Sequence, residues 1–345
     1  MGVDLGDLAV KNTITLQSLS GKVIAIDAFN MLYQFLASIR QPDGTPLMDH
    51  KGNVTAHLSG LFYRTCKLIE NGIKPVYVFD GEAHAFKERV QVERATVKKA
   101  AEKKWKEALE LEKYAEAKKY AQATSRLTRE MADESKLLLE KMGVPVVQAP
   151  SDGEAQAAVM VQEGKAYATA SQDYDALMFG SPVLVRNISI TGRRKVPRQN
   201  RYIMVEPEEI KLKETLSALG IGREKLIFIG ILAGTDFNKG IKGVGPKTAL
   251  KIVKQIEDMD GLLEYVKEKY DYQFEVDIEE VFTLFLDPPH EPVKKPKWKD
   301  VDADAVSEIL VEKHDFSEER VEKTINDLKK ITKEHAAQSK LEKWF

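Results

Sequence analysis

One local design recurs along the first half of this chain and restricts its fold more than any other feature. A short β-branched run stops at an acidic residue, and a helical stretch follows. Residues 22–26 (KVIAI) run into Asp27, and residues 74–79 (KPVYVF) run into Asp80 and Gly81. Residues 144–148 (VPVVQ) lead to Ser151, Asp152, Gly153 and Glu154, and residues 166–170 lead to Ser171, Gln172 and Asp173. Helical periodicity fills the intervals, as at 56–69 and 125–142. Short apolar strands alternating with helices are the pattern of a parallel sheet covered on both faces, so the expected class is α/β.

From residue 82 to about 130 the pattern changes to a stretch rich in Lys, Glu and Ala, with Trp105, Leu109 and Tyr114 as sparse apolar anchors. High helix propensity with little to bury predicts a protruding helical segment. Beyond about Thr235 the chain turns helical with glycine punctuation, and His290 to Pro296 reads as a linker. The 345 residues are roughly two domains' worth. The expected division is a core over 1–232, a helical region over 233–330 and a tail over 331–345. No run approaches the ~18 apolar residues of a membrane span. The N-terminus carries neither a basic n-region nor an apolar h-region, and Gly6 breaks the myristoylation pattern. Cys66 is the single cysteine, which fits a reducing compartment. A soluble, intracellular protein is expected.

In an open parallel sheet the functional crevice lies outside the carboxyl ends of the strands. Asp27, Asp80, the Asp152 and Glu154 pair and the Asp173 and Asp175 pair should therefore share one edge, with Asp236 joining them from the second region. Each has a structural reading: Asp27 as a helix cap, Asp80-Gly81 as a turn, and Ser151 to Glu154 as an S-x-x-E capping box. Taken together the carboxylates resist that reading, because such a cluster repels itself unless cations neutralise it. Hard oxygen ligands select Mg²⁺ or Mn²⁺, and no His/Cys set suggests zinc. A pair of such ions suits hydrolysis of a phosphodiester.

The formal charge is −2, but its distribution is uneven. Residues 87–129 hold thirteen Lys/Arg against seven Asp/Glu, and residues 186–201 hold six basic residues and no acidic one. Such patches suit phosphate bound at particular faces; a solvated, salt-bridged helix is the alternative for 87–129. Lys87 and Arg94 are seven residues apart and so share a helix face. Residues 241–249 (IKGVGPKTA) combine a Gly243-x-Gly245 turn with Pro246 at a helix start and with Lys247 and Thr248 beside it. That arrangement grips a DNA backbone without reading its bases; a plain hairpin between packed helices is the alternative. The terminal Trp344 and Phe345 suggest a partner's pocket. Three readings stay open at this point: a metal-dependent nuclease, a non-catalytic scaffold on branched DNA, and a carboxylate phosphatase of small esters.

The motifs, in this order and register, resemble the flap endonucleases of the XPG/Rad2 family in their archaeal form. The resemblance rests on VIAIDAFNMLYQFL from Val23, on VFDG from Val78 and on GEAQA from Gly153. It continues through SQDYDAL from Ser171, GTDF from Gly234 and GIKGVGPKTA from Gly240. It implies a PIN-like nuclease core, a helical arch over about 82–130 and a helix–hairpin–helix region. It also implies two Mg²⁺ ions, with Mn²⁺ as a substitute. Asp27, Asp80 and Glu154 would serve the first ion, Asp173 and Asp175 the second, and Asp236 would act through water. Lys87 and Arg94 match the basic residues at the scissile phosphate, Tyr33 the aromatic on which a flipped nucleotide stacks, and Gly2 a terminus near the metals. Gln338, Leu341, Trp344 and Phe345 match a sliding-clamp (PCNA) binding box, and a K⁺ ion is expected at the helix–hairpin–helix. Asp152 stands where the family usually has glutamate, so it is expected to reach a metal only through water. The expected activity is 5′-flap endonuclease with 5′–3′ exonuclease action in replication and repair. The absence of a basic tail after the clamp box suggests a cytoplasmic prokaryotic protein, acting as a monomer; a eukaryotic one would be nuclear.

Overall fold

The computed structural model describes residues 2–82, 85–110, 116, 120–121, 123–190, 192–195 and 202–341. In chain order the first elements are β1 (Lys11–Thr13), β2 (Val23–Asp27), α1 (Ala28–Ser38), α2 (Ala56–Glu70), β3 (Lys74–Phe79) and α3 (Ala85–Glu110). Next come α4 (Arg129–Lys141), β4 (Val146–Gln148), α5 (Gly153–Gln162), β5 (Ala168–Ala170), α6 (Asp175–Met178) and β6 (Val183–Arg186). The strands β7 (Gly192–Lys195), β8 (Tyr202–Val205) and β9 (Glu208–Lys211) follow, with α7 (Leu212–Leu219) and α8 (Arg223–Ala233). The chain finishes with α9 (Pro246–Val253), α10 (Met259–Tyr270), α11 (Ile278–Leu286), α12 (Ala303–Ser307) and α13 (Glu318–Leu341).

The main sheet has the order β1-β9-β6-β5-β2-β3-β4. From β6 to β4 every pairing is parallel, with Ile26 level with Ala170 and Asp27 level with Val78. The carboxyl ends of β5, β2, β3 and β4 therefore line one edge. The sheet as a whole is mixed, not parallel as expected, because β9 runs antiparallel to both β6 and β1. The physical reason is the connection: a parallel return needs a crossover element, and the chain after β6 instead forms the two-stranded ribbon β7–β8. That ribbon occupies part of the basic stretch 186–201, which the sequence reading left without structure.

Element starts differ from expectation where a cap competes. The helix expected from residue 125 begins at Arg129, because Thr128 takes the N-cap and its hydroxyl accepts from the Met131 N–H at 3.3 Å. The strand expected from Val144 begins at Val146.

Two large apolar clusters flank the sheet. One joins Val3 and Leu5 to Leu177, Phe179, Ile229, Phe237, Val244 and Phe285, and it runs across position 232 without interruption. The other gathers Ile24, Ile26, Leu58, Phe62 and Leu138 with Val306, Leu310, Val321, Ile325 and Leu328. Residues 303–328, grouped by sequence with the helical region, pack instead on α2 and α4. The spacing of Val321, Ile325 and Leu328 puts one apolar stripe of α13 against the core. The linker is also strapped down. Glu291 exchanges backbone bonds with the Gln156 amide at 3.1 and 2.8 Å, and the Trp298 indole donates to the Pro75 carbonyl at 2.9 Å. Among the described residues no helix is long and apolar enough to cross a membrane.

Asp49 pins the C-terminal segment to the core. Its carboxylate lies against the His314 ring at 3.1 Å, while the other ring nitrogen meets Glu134 at 2.6 Å. Burial raises the Asp49 pKa, but donors from Asn53, His314 and Lys51 outweigh it and hold the group at about 2. The unfolded carboxyl titrates near ~3.9, so its contribution is fully present above that value and is lost as pH falls toward the folded one. Thermal unfolding of wild type and Asp49→Asn should therefore differ most near neutrality and converge on acidification. A constant difference across that range would remove Asp49 from the latch.

Candidate active site

The strand-end carboxylates sit where the sheet register puts them, and local bonds fix most of them. Asp27 closes β2 and caps α1, its Oδ1 accepting from the Asn30 N–H at 3.0 Å. Asp80 follows β3 and accepts from the Gly153 N–H at 2.9 Å. Asp173 accepts from the Asn30 side-chain amide at 3.0 Å, and Asp175 accepts from the Val3 N–H at 2.9 Å. Asp236 lies in the turn after α8. That turn is closed by Thr235 and Asn238, bonded side chain to side chain at 2.8 Å, and the Asn238 amide donates to the Ile231 carbonyl at 2.8 Å.

The capping box that was the structural alternative for Ser151 to Glu154 does not form. Asp152 is the N-cap of α5, accepting from the Glu154 and Ala155 N–H groups at 2.9 and 3.1 Å. Asp152 reaches both donors with one short side chain, which leaves Glu154 no part in the cap. Glu154 Oε1 instead accepts from the Ala176 N–H at 3.0 Å, across the edge on α6.

The seven carboxylates form one electrostatic unit. Asp27, Glu154 and Asp175 are 8%, 7% and 5% exposed. Burial raises the Asp27 carboxyl well above its usual range, and Asp80, Asp152 and Asp173 add to the rise. Glu154 is raised well above its range by burial and then by Asp175, Asp27, Asp173 and Asp152. Asp175 is raised in the same way by burial and then by Asp236, Asp173 and Asp152. Among the described residues, no three acidic, His or Cys side chains close on one point as the ligands of an ion do. Asp27, Asp80, Glu154 and Asp175 accept from backbone N–H groups, and Asp173 accepts from the Asn30 amide. The donor chemistry nonetheless fits a divalent cation: every member offers hard oxygen, three are buried, and each disfavours its neighbours' ionisation.

Gly2 completes the edge. A Cβ there would stand 2.3 Å from Asp175 Oδ1 and 2.5 Å from Oδ2, so only glycine lets the N-terminal segment pass so near the carboxylate. Tyr33 on α1 is 38% exposed, and the Lys98 ammonium of α3 lies 5.2 Å from its ring centroid, so the ring faces α3. Lys87 and Arg94 lie on α3, but their side chains fall outside the described residues. Phe86 beside them packs on the first apolar cluster and anchors the start of α3.

Away from this edge, Gly243 takes φ +86, a left-handed conformation that favours glycine, between the buried Ile241 and Val244. Gly245 then caps α9 with Pro246 at its start, and Gly243, Gly245, Lys247 and Thr248 are all exposed. Lys247 pairs with Asp7 at 2.8 Å between two open side chains, a contact too solvated to add much stability. Gln338 and Leu341 lie on α13 with side chains outside the described residues, and Trp344 and Phe345 are outside them altogether. Sequence reasoning missed Asn30 and Lys98. Asn30 stands inside the motif from Val23 but was not singled out within it, and each residue meets its partner only through the fold.

Comparison with known proteins identifies the family. Residues 5–101 match the XPG N-terminal domain, and residues 143–236 match the XPG I-region. The chain is 51% identical to flap endonuclease 1 of Thermococcus onnurineus, covering 100% of this chain and 99% of that one. It is also 51% identical to flap endonuclease 1 of Aeropyrum pernix, covering all of both. The solved structure of flap endonuclease-1 from Methanococcus jannaschii superposes with a TM-score of 0.74 at 39% identity, over 96% of this chain and 98% of that one. With curated relatives at half identity over its whole length and both family regions in place, the chain belongs to the XPG family of nucleases, among its flap endonuclease 1 members.

Proposed function

We propose that this protein is a divalent-metal-dependent, structure-specific endonuclease that hydrolyses DNA at the junction of a duplex and a 5′ flap, with 5′–3′ exonuclease action on the same site. The observation that carries the reading is the set of seven carboxylates at and beside one sheet edge, three of them raised in pKa by burial and then by their acidic neighbours. Asp27, Asp80 and Glu154 would hold one Mg²⁺, and Asp173 and Asp175 a second, with Asp152 and Asp236 acting through water. Bound there, the metal supplies water activation and neutralises charge at the leaving oxygen.

The remaining work falls to the chain's own groups. Tyr33 offers an exposed ring for a base beside the scissile bond, with Lys98 over it. Lys87 and Arg94, one helix face of α3, would meet the scissile phosphate from the arch side. The exposed turn at Gly243 and Gly245 with Lys247 and Thr248 would hold the duplex by its backbone, which makes binding independent of base sequence. Lys247→Ala should therefore weaken flap binding about equally for every sequence and lower the slope of log affinity against log salt by about 1, leaving the cleavage position unchanged. Gln338, Leu341, Trp344 and Phe345 would tether the enzyme to the sliding clamp.

Cleavage of an end-labelled 5′-flap duplex with Mg²⁺, beside an EDTA control and nicked and four-way substrates, tests the reading. Metal-dependent cutting at the flap junction, in preference to the other substrates, is expected. Tight binding without cutting under any divalent ion would move the assignment to a non-catalytic scaffold.

A further inference from the structure

One amide joins the two acidic corners of the site. Asn30 lies in the first turn of α1, three residues after Asp27, and its backbone N–H donates to Asp27 Oδ1 at 3.0 Å. Its side chain reaches across to the loop after β5. There Oδ1 accepts from the Gln172 N–H at 3.1 Å, and Nδ2 donates to Asp173 Oδ2 at 3.0 Å. The orientation of the amide is not ambiguous. The Gln172 N–H can only donate, so the carbonyl oxygen must face it, which turns the NH₂ toward the carboxylate.

The same loop is gripped from the opposite side. Arg186, at the end of β6, donates from Nε to the Gln172 carbonyl at 3.1 Å. Its guanidinium also bonds the Tyr174 hydroxyl, stacks on that ring at 4.0 Å and pairs with Glu208 at 3.2 Å. Residues 172–174 are thus held by a cation on the far side and by a neutral amide on the side that faces the carboxylates. The difference matters chemically. A lysine or arginine at position 30 would neutralise Asp173 and compete with any cation for it. An amide donor orients one carboxylate oxygen and leaves the negative charge in place.

We infer that Asn30 is a positioning residue for divalent-cation binding, fixing the Asp173 carboxylate against Asp27 across the boundary between β2 and β5. This rests on the proposed reading that the carboxylate edge holds metal. Hydrogen-bond partners one shell out from a metal ligand set its orientation, and losing one costs roughly ten- to a hundredfold in metal affinity.

The test is calorimetric titration of the DNA-free protein with Mn²⁺, for wild type, Asn30→Ala and Asn30→Ser, with flap binding in EDTA measured alongside as a check on folding. Both variants should bind Mn²⁺ about tenfold more weakly and bind flap DNA in EDTA as wild type does. In cleavage assays the rate they lose at low Mn²⁺ should return as Mn²⁺ is raised, which a merely structural defect would not allow. Wild-type Mn²⁺ affinity in both variants overturns the role of Asn30. So does a rate loss that no Mn²⁺ concentration repairs while affinity stays unchanged. Failure of the wild-type protein itself to bind Mn²⁺ is a separate result and overturns the metal reading of the edge.

Discussion

Replacing Asp27 and Asp173 together by alanine should lower flap cleavage by on the order of a thousandfold or more while flap binding in EDTA stays near wild type. Asp27 closes β2 and Asp173 lies in the loop after β5, and each adds to the charge felt by its neighbours. Removing both takes an oxygen donor from each of the two proposed metal positions. The protein should not unfold as a result. Asp27 is an acid whose folded pKa lies above its unfolded value, so stability is lost as pH rises from the unfolded value through the folded one. Without metal its loss removes an acid that burial and its neighbours disfavour, which offsets the roughly 1 kcal/mol forfeited with the α1 cap. Single-turnover cleavage and fluorescence anisotropy on one flap substrate separate the two effects. Cleavage within tenfold of wild type would sink the assignment of the carboxylates to catalysis. Parallel loss of binding and cleavage would relocate both acids to the DNA grip.

The second large effect comes from a residue with no side chain. Gly2→Val places carbon atoms where the Asp175 carboxyl now stands, since even a Cβ falls 2.4 Å from its Cγ. The backbone has little room to yield, because Val3 and Leu5 are buried in the apolar cluster just beyond and the Val3 N–H is bonded to Asp175 itself. The carboxylate must therefore move, by about an ångström or more. Displacement of that size in a catalytic group costs on the order of a hundredfold in rate. The expected pattern is a fall in single-turnover rate with unchanged flap affinity in EDTA and an unchanged unfolding midpoint. A Gly2→Val protein that cleaves like wild type would show that Asp175 either does not serve the reaction or has freedom that the packing denies it.

How much of the site was legible beforehand follows from which forces act locally. The acids at 27, 80, 152, 154, 173 and 175 could be placed together because β5, β2, β3 and β4 run parallel, and each acid lies at or just after a strand end. Periodicity alone supplies that. The role of Glu154 was not legible, because a capping box and a cluster member look the same until Asp152 is seen to take the cap and Glu154 to cross to α6. The antiparallel return of β9 was also hidden, since strand residues carry no mark of direction. Nor does any pattern link residues 303–328 to α2, or place the Lys98 ammonium over the Tyr33 ring.

The sequence by itself determined the α/β class, the acid-tipped strands, the glycine-hinged turn at 241–249 and, through ordered motifs, the family. All of these depend on residues near one another in the chain, whose propensities, spacing and turn chemistry act over a few positions. Only the tertiary structure decided that Gly2 abuts Asp175, that Asn30 bridges Asp27 and Asp173, and that His314 closes on Asp49. Apart from the short step from Asn30 to Asp27, these contacts join residues more than a hundred positions apart. They arise because burial of the two apolar clusters carries distant segments to the same place, where hydrogen bonds and charges then settle each side chain.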